Sequence, residues 1–362
     1  MHVYFFGVYN AQGGMENYAL NLISGMKEKY SDIDFTLLVF SDVFSGKEIY
    51  LENNYCDYIV LPHYLRHPIK FLKAFKEIGK KVKPSDIIQL NVCTLRNYLL
   101  YYASSKINCR KMIVSHYSKN DDGLAFLHHI NRWIFAKKYQ KLAVSDVAGK
   151  FMFNSGYEVI PNGVISAKYE FDQKSRNKIR EQYGIDEDTF LIGHVGRITK
   201  EKNQSFSVKV LKMLCMSHEN VKLMLVGKYY DDGIKNFINE NGLSEKVILT
   251  GPVYEDIGSF YSAFDCFILP SKNEAMGIAL VEALCNGLPI VYSKNVPSLD
   301  MDSCKTYDST LMQLNLDVGL WTRNIENIID STEGSRKNYI KDSQYELDRF
   351  IDKYHDLYLG HM

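Results

Sequence analysis

The side chains best suited to chemistry fall in two segments of the second half. In HVGRITKEKN, His194–Asn203, an apolar run ends at Gly196, Arg197 follows, and Lys202 lies in the next loop. A guanidinium is a bidentate fork and an ammonium a point charge, so the pair suits a diphosphate. In PSKNEAMGIALVEALCNGLPIV, Pro270–Val291, Glu274 lies in a loop and Glu282 on a helix starting near Gly277. Two carboxylates so spaced can each accept a pair of vicinal hydroxyls, one from a sugar and one from a ribose. The backbone N–H groups of Met276, Gly277 and Ile278 open that helix and suit a phosphate or a sugar hydroxyl. Glu282 sits within IALVEALC, where a bare carboxylate is expensive. A third segment, AQGGMENYALNL, carries Gly13 and Gly14, which let a backbone approach a ligand closely. It is not the G-x-G-x-x-G of dinucleotide-binding loops. His116 ends a strand, where a single histidine more often serves structure than chemistry.

The elements that must position these groups form two series of strand and helix. The first has strands at Val3–Val8, Phe35–Phe40, Tyr58–Leu61, Ile87–Val92, Lys111–Ser115 and Lys141–Ser145. Helices are expected over Glu16–Lys29, Ile69–Lys81 and Leu124–Lys138. The second has strands at Phe190–Val195, Lys222–Val226, Val247–Thr250, Cys266–Leu269 and Pro289–Tyr292. Its helices are expected over Gln204–Met216, Ile234–Asn241, Asp256–Ala263 and Gly277–Asn286. Short apolar strands alternating with helices imply parallel sheets covered on both faces. In such sheets ligands sit beyond the carboxyl ends of the strands, which is where Arg197 and Glu274 fall. The charged stretch Ala167–Glu187 reads as the joint, and Ser335–Leu359 as one or two amphipathic helices.

A chain of 362 residues suggests two domains. Lys+Arg and Asp+Glu both number 43, which argues against a general nucleic-acid binder. The balance conceals an asymmetry: residues 1–165 hold 20 basic and 14 acidic side chains, the remainder 23 and 29. The seven cysteines are scattered without a CxxC pair and read as reduced thiols of a cytoplasmic protein. No stretch is long and apolar enough to span a bilayer, and MHVYFFGVYN lacks the basic leader of a signal peptide.

HVGR…KEKN, the E-x7-E pair and NGLPIV together resemble the retaining GT-B glycosyltransferases of family 4, of the bacterial exopolysaccharide and capsule type. GGMEN, VSH and VIPNGV stand in the family's usual order, so the likeness covers nearly the whole chain. The resemblance implies an α/β fold of two Rossmann-like domains facing across a cleft. The first would span 1–165, with a helix at about 340–362 packing back on it, and the nucleotide-sugar domain 166–339. It implies a retaining enzyme that moves a sugar from a UDP-linked donor to a hydroxyl of a lipid-linked or polysaccharide glycan. Arg197 and Lys202 match the pair holding the donor diphosphate, with Gly196 before them. Glu274 matches the carboxylate on the donor sugar, Glu282 the one on the ribose, and Met276, Gly277 and Ile278 the amides beside them. Gly13 and Gly14 match the loop over the phosphates, with Glu16 and Asn17 toward the acceptor. His116 matches the histidine facing the reacting sugar, and Pro252–Val253 the backbone reading the nucleobase. Ala275 after Glu274, Lys228 in LVGK and Ile165 after PNGV depart from the family's usual residues.

No cofactor and no metal are expected. Asp300–Asp302, DMD, resembles the metal-binding DxD of GT-A transferases but falls in the last third of the chain, and the diphosphate charge can be met by Arg197, Lys202 and helix N-termini. Two alternatives stand beside this reading. A UDP-sugar 2-epimerase would want several more charged groups around the sugar, and none of its motifs is evident. A non-catalytic partner subunit would be expected to lack Arg197, Lys202 or Glu274. Finally, His63–Lys83 sets Ile69, Leu72, Phe75 and Ile78 as an apolar stripe among Arg66, Lys70, Lys73, Lys76, Lys80, Lys81 and Lys83. A basic amphipathic helix of this kind can lie on anionic lipid, which would place the protein peripherally on the inner face of the membrane.

Overall fold

The computed structural model describes residues 1–7, 14–40, 55–118, 125–229, 232–253, 255–299, 311–331 and 336–361. Its chain divides into two units, Met1–Gly163 with Leu347–Met362, and Val164–Glu346. Among the described residues no helix is long and apolar enough to cross a membrane.

In the first unit the strands are β1 (His2–Phe6), β2 (Asp34–Phe40), β3 (Asp57–Leu61), β4 (Ile87–Val92), β5 (Arg110–Ser115), β6 (Gln140–Ala143) and β7 (Glu158–Val159). They form one sheet in the order β3-β2-β1-β4-β5-β6-β7, every pairing parallel. Successive side chains alternate across β1. Val3 and Phe5 face the helices Gly14–Lys29 and Leu347–Leu359, while Tyr4 and Phe6 face Pro68–Lys81 and Tyr98–Ser105. Both faces are thus covered, which is why Val3–Phe6 of β1 reads as a continuous apolar run.

The second unit repeats the plan with β8 (Phe190–Val195), β9 (Val221–Val226), β10 (Val247–Gly251), β11 (Cys266–Leu269), β12 (Ile290–Ser293) and β13 (Leu311–Leu314). Their order is β10-β9-β8-β11-β12-β13, again all parallel. The order reverses between β1 and β4 in the first sheet and between β8 and β11 in the second. Each reversal opens a crevice at the strands' carboxyl ends.

Two expectations need correction. The stretch Ala167–Glu187 is not merely a joint, because it contains the helix Gln173–Gln182. Asp172 caps it by accepting from the Ser175 N–H at 2.7 Å. Beside buried Ile179, its inward face is ionic: Arg176 and Arg180 both grip Asp265, at 2.6 and 3.2 Å. An interface built on charge gives no apolar periodicity to read. In Pro68–Lys81, Phe75 and Ile78 of the supposed lipid-facing stripe are buried with Phe71 in the core. Ile69 and the lysines remain exposed, so the apolar residues of this helix serve mainly the fold. The Asp300–Asp302 triplet and Gly13 lie outside the described residues.

Candidate functional site

In the second unit the crevice between β8 and β11 is lined from both sides. Beyond β8 the chain turns at Gly196, with φ +149°, and a Cβ at neighbouring Gly227 would lie 2.1 Å from the Gly196 carbonyl oxygen. The two loop backbones therefore touch, which only glycine permits. Arg197 is exposed past this turn. Gln204 at the start of the next helix ties the loop down, donating to the Arg197 carbonyl at 3.1 Å and accepting from the Thr199 N–H at 3.3 Å. Lys202 folds its stem back over Gly196.

Beyond β11 lies Glu274. Its Oε1 meets Lys202 Nζ at 2.5 Å and accepts from Ser271 Oγ at 2.8 Å. Asn203 Nδ2 donates to the Pro270 carbonyl at 3.1 Å, and the Lys272 N–H to the Glu201 carbonyl at 2.7 Å, so two further bonds join the loops. The structure thus brings two of the sequence-derived residues, Lys202 and Glu274, into direct contact. Met276 and Gly277 are buried ahead of the helix Ile278–Cys285, and Gly277 takes φ +80°. Pro252 and Val253 follow β10, with Pro252 exposed.

Glu282 is buried on that helix, and both its oxygens are taken. Tyr261 donates to Oε2 at 2.6 Å and Tyr169 to Oε1 at 3.0 Å. Burial pushes the carboxyl's pKa up, while the two tyrosine hydrogen bonds pull it down. Tyr261 and Tyr169 are themselves raised, by burial and then by the carboxylate. Behind Lys202, on β8, His194 is fully buried. Its Nδ1 bonds Ser207 Oγ at 2.9 Å and its Nε2 has no hydrogen-bond partner. Burial, with a smaller push from Lys202, lowers its pKa to about 3.

The first unit holds the other group. Gly14, Glu16 and Asn17 form the first turn of the helix Gly14–Lys29. His116 follows β5, its ring edge-on to Tyr18 with centroids 4.4 Å apart. Burial lowers its pKa to about 3, so it is neutral at pH 7. Asn91 Nδ2 donates to the Phe6 carbonyl at 2.9 Å, which turns Oδ1 toward His116 Nε2 at 3.3 Å. A carbonyl oxygen can only accept, so the ring carries its proton on Nε2 and leaves Nδ1 as an acceptor. Gln89 Nε2 bonds both Asn91 Oδ1 and Tyr18 Oη, and Gln89 Oε1 accepts from Tyr358 at 2.7 Å. Tyr18 in turn donates to Tyr354 at 2.7 Å. The partners Ser271, Tyr169, Tyr261, Gln89 and Asn91 escape sequence reasoning. Ser271 alone carries a local signal, three residues before Glu274. Among the described residues no group of three or more His, Cys, Asp or Glu side chains is placed to hold a metal ion.

Two parallel α/β units, the second with paired cationic and carboxylate groups at its switch point, define a GT-B fold. Residues 175–343, within the second unit, match the family model described as glycosyl transferases group 1. The chain is 29% identical to CapM of Staphylococcus aureus, a capsular polysaccharide biosynthesis glycosyltransferase, over 38% of this chain and 36% of that one. It is 25% identical to the Escherichia coli UDP-Gal:alpha-D-GlcNAc-diphosphoundecaprenol alpha-1,3-galactosyltransferase, over 56% and 53%. These alignments span about half or less of the two relatives. The crystal structure of Anabaena HepE with UDP and glucose matches all of both chains at a TM-score of 0.76 and 18% identity. The family model and the relatives' names indicate a glycosyltransferase enzyme, similar to those of family 4.

Proposed function

We propose that this chain is a retaining glycosyltransferase that moves a sugar from a UDP-linked donor to a hydroxyl of a lipid-linked or polysaccharide acceptor, without a metal. The observation that carries the reading is the contact of Lys202 with Glu274 where β8 and β11 part. A diphosphate arriving beside Arg197 would draw Lys202 away from Glu274 and free that carboxylate for the donor sugar's hydroxyls. The bond from the anomeric carbon to the phosphate oxygen breaks as that to the acceptor oxygen forms on the same face. The acceptor's proton passes to the departing phosphate oxygen. No carboxylate is assigned as nucleophile, so catalysis rests on stabilising the leaving diphosphate and on positioning. In the first unit, a neutral His116 offers a hydrogen-bond acceptor that carries no charge. UDP as the nucleotide is supported by its presence with HepE and in the E. coli relative's name, and a glycan acceptor by the name of CapM. A lipid-linked acceptor fits peripheral attachment to the inner face of the membrane.

The test is a panel of UDP- and GDP-sugars, read for hydrolysis and for transfer, with the product's anomeric configuration assigned by NMR. Expected are turnover with a UDP-sugar, retained configuration and activity that survives EDTA. Inversion, or loss in EDTA with rescue by manganese, would overturn the corresponding part of the reading.

A further inference from the structure

The helix Ala125–Phe135 faces the wrong way for a water-soluble surface. Its inward positions include His128 and Asn131, both held by one backbone unit. His128 Nδ1 accepts from the Leu95 N–H at 3.2 Å, and Asn131 Nδ2 donates to the Leu95 carbonyl at 2.6 Å. Beside exposed His129, its outward positions include four apolar side chains: Phe126 is 58% exposed, Ile130 48%, Trp133 79% and Ile134 38%. These lie at i, i+4, i+7 and i+8, a single stripe. The helix cannot roll to bury that stripe without breaking both bonds to Leu95 and stranding buried polar groups.

The surroundings say what the stripe meets. Exposed Tyr98 and Tyr102 come from the helix Tyr98–Ser105, joined to the stripe's helix where Tyr98 packs on Phe135 at 5.3 Å. Lys106 sits over the Tyr102 ring, and Lys137 and Lys138 follow the stripe. The Tyr98–Ser105 helix in turn packs on Pro68–Lys81, whose Lys70, Lys73, Lys76, Lys80 and Lys81 are exposed. Between residues 87 and 138 the only acidic residues are Asp121 and Asp122, against eight Lys and Arg. An apolar stripe with aromatics at its edge and cations around it matches a bilayer with anionic headgroups.

We propose that Phe126, Ile130, Trp133 and Ile134 insert into an anionic membrane while the lysines of Pro68–Lys81 bind its headgroups. This moves the lipid-inserting element from the basic helix to its apolar neighbour. The choice of a bilayer as partner rests on the proposed lipid-linked acceptor, but binding is measured without turnover, so the two can fail separately.

The chain supplies its own reporter, having two tryptophans of which Trp321 is fully buried. The full chain is titrated with vesicles of phosphatidylcholine alone and with added phosphatidylglycerol, at low and high salt. Tryptophan emission is followed, together with quenching by brominated lipid. Expected is a blue shift and quenching on anionic vesicles, weakened by salt and absent in Trp133→Phe. The triple variant Ile130→Ser, Trp133→Ser, Ile134→Ser should bind such vesicles at least 10-fold more weakly with UDP affinity unchanged. No shift at low salt, undiminished binding by the triple variant, or a shift that follows protein concentration without vesicles would overturn the proposal. The last outcome would make the stripe an interface between copies of the chain.

Discussion

Lys202 and Glu274 hold each other at 2.5 Å, and each is also a group the donor would claim. Their pairing predicts that Glu274→Gln separates binding from turnover. Losing the competing carboxylate should leave UDP affinity equal or a few-fold tighter, measured by calorimetry, while transfer falls on the order of a hundredfold. Lys202→Ala should instead weaken UDP by roughly tenfold or more, the scale of a lost charged hydrogen bond. Equal loss of UDP affinity in both variants would contradict the exchange of partners. At His116 the Nε2–H form should appear in the ring's nitrogen NMR shifts and persist well below pH 6. Asn91→Asp puts a carboxylate against that proton and should raise the imidazole's pKa, charging it as pH falls toward neutrality. These charged groups were legible because they follow strand ends. Their partners were not, since Tyr169 reaches Glu282, and Gln89 reaches Asn91 beside His116, only within the folded units.

The loops that carry those groups are set by their own backbones. Gly227 has φ +152°, and its Cα faces the Gly196 carbonyl. Gly227→Ala should therefore cost several kcal/mol in thermal unfolding, about 1–3 from strain alone with the collision added. On β8, His194 gives a pH prediction. Its pKa is about 3 in the fold against 6.5 for an ordinary histidine, so the unfolded chain binds the proton more readily between these values. Stability is then fully present above pH 6.5 and falls as pH drops toward 3. His194→Gln should flatten that acid limb by up to about 1.4 kcal/mol per pH unit, read from urea unfolding at several pH values. An unchanged limb would show that His194 titrates normally. At this scale the sequence revealed most strands, because buried parallel strands are short apolar runs. It hid β13 and the helix Gln173–Gln182, the latter held by Arg–Asp pairs rather than an apolar stripe. It showed the amphipathicity of Pro68–Lys81 but not the direction its apolar side would face.

In the molecule as a whole, the helix Leu347–Leu359 belongs to the unit whose strands precede it by the entire length of the other. Phe350, Ile351, Tyr354, Leu357 and Tyr358 are buried against the first sheet's helix side. Arg110 on β5 donates to the Leu357 carbonyl at 2.9 Å and to that of Tyr358. Removing 347–361 should unfold the first unit while leaving the second folded. Hydrogen exchange should show protection lost over β1, β2 and β4 and retained over β8 to β12. Uniform loss in both units would refute the division. The sequence already suggested that a late helix packs back on the first half, but not that its tyrosines reach Gln89 and, through Asn91, fix the tautomer of His116. That chain of contacts also has a meaning in time. On the ribosome, Val164–Glu346 must all be made between the first unit's strands and the helix that covers them, roughly 10–40 s at ordinary elongation rates. For that interval the nascent first unit stands with an apolar face uncovered and its histidine unset, so its dependence on chaperones should peak in the middle of translation and end only when residues 347–359 emerge.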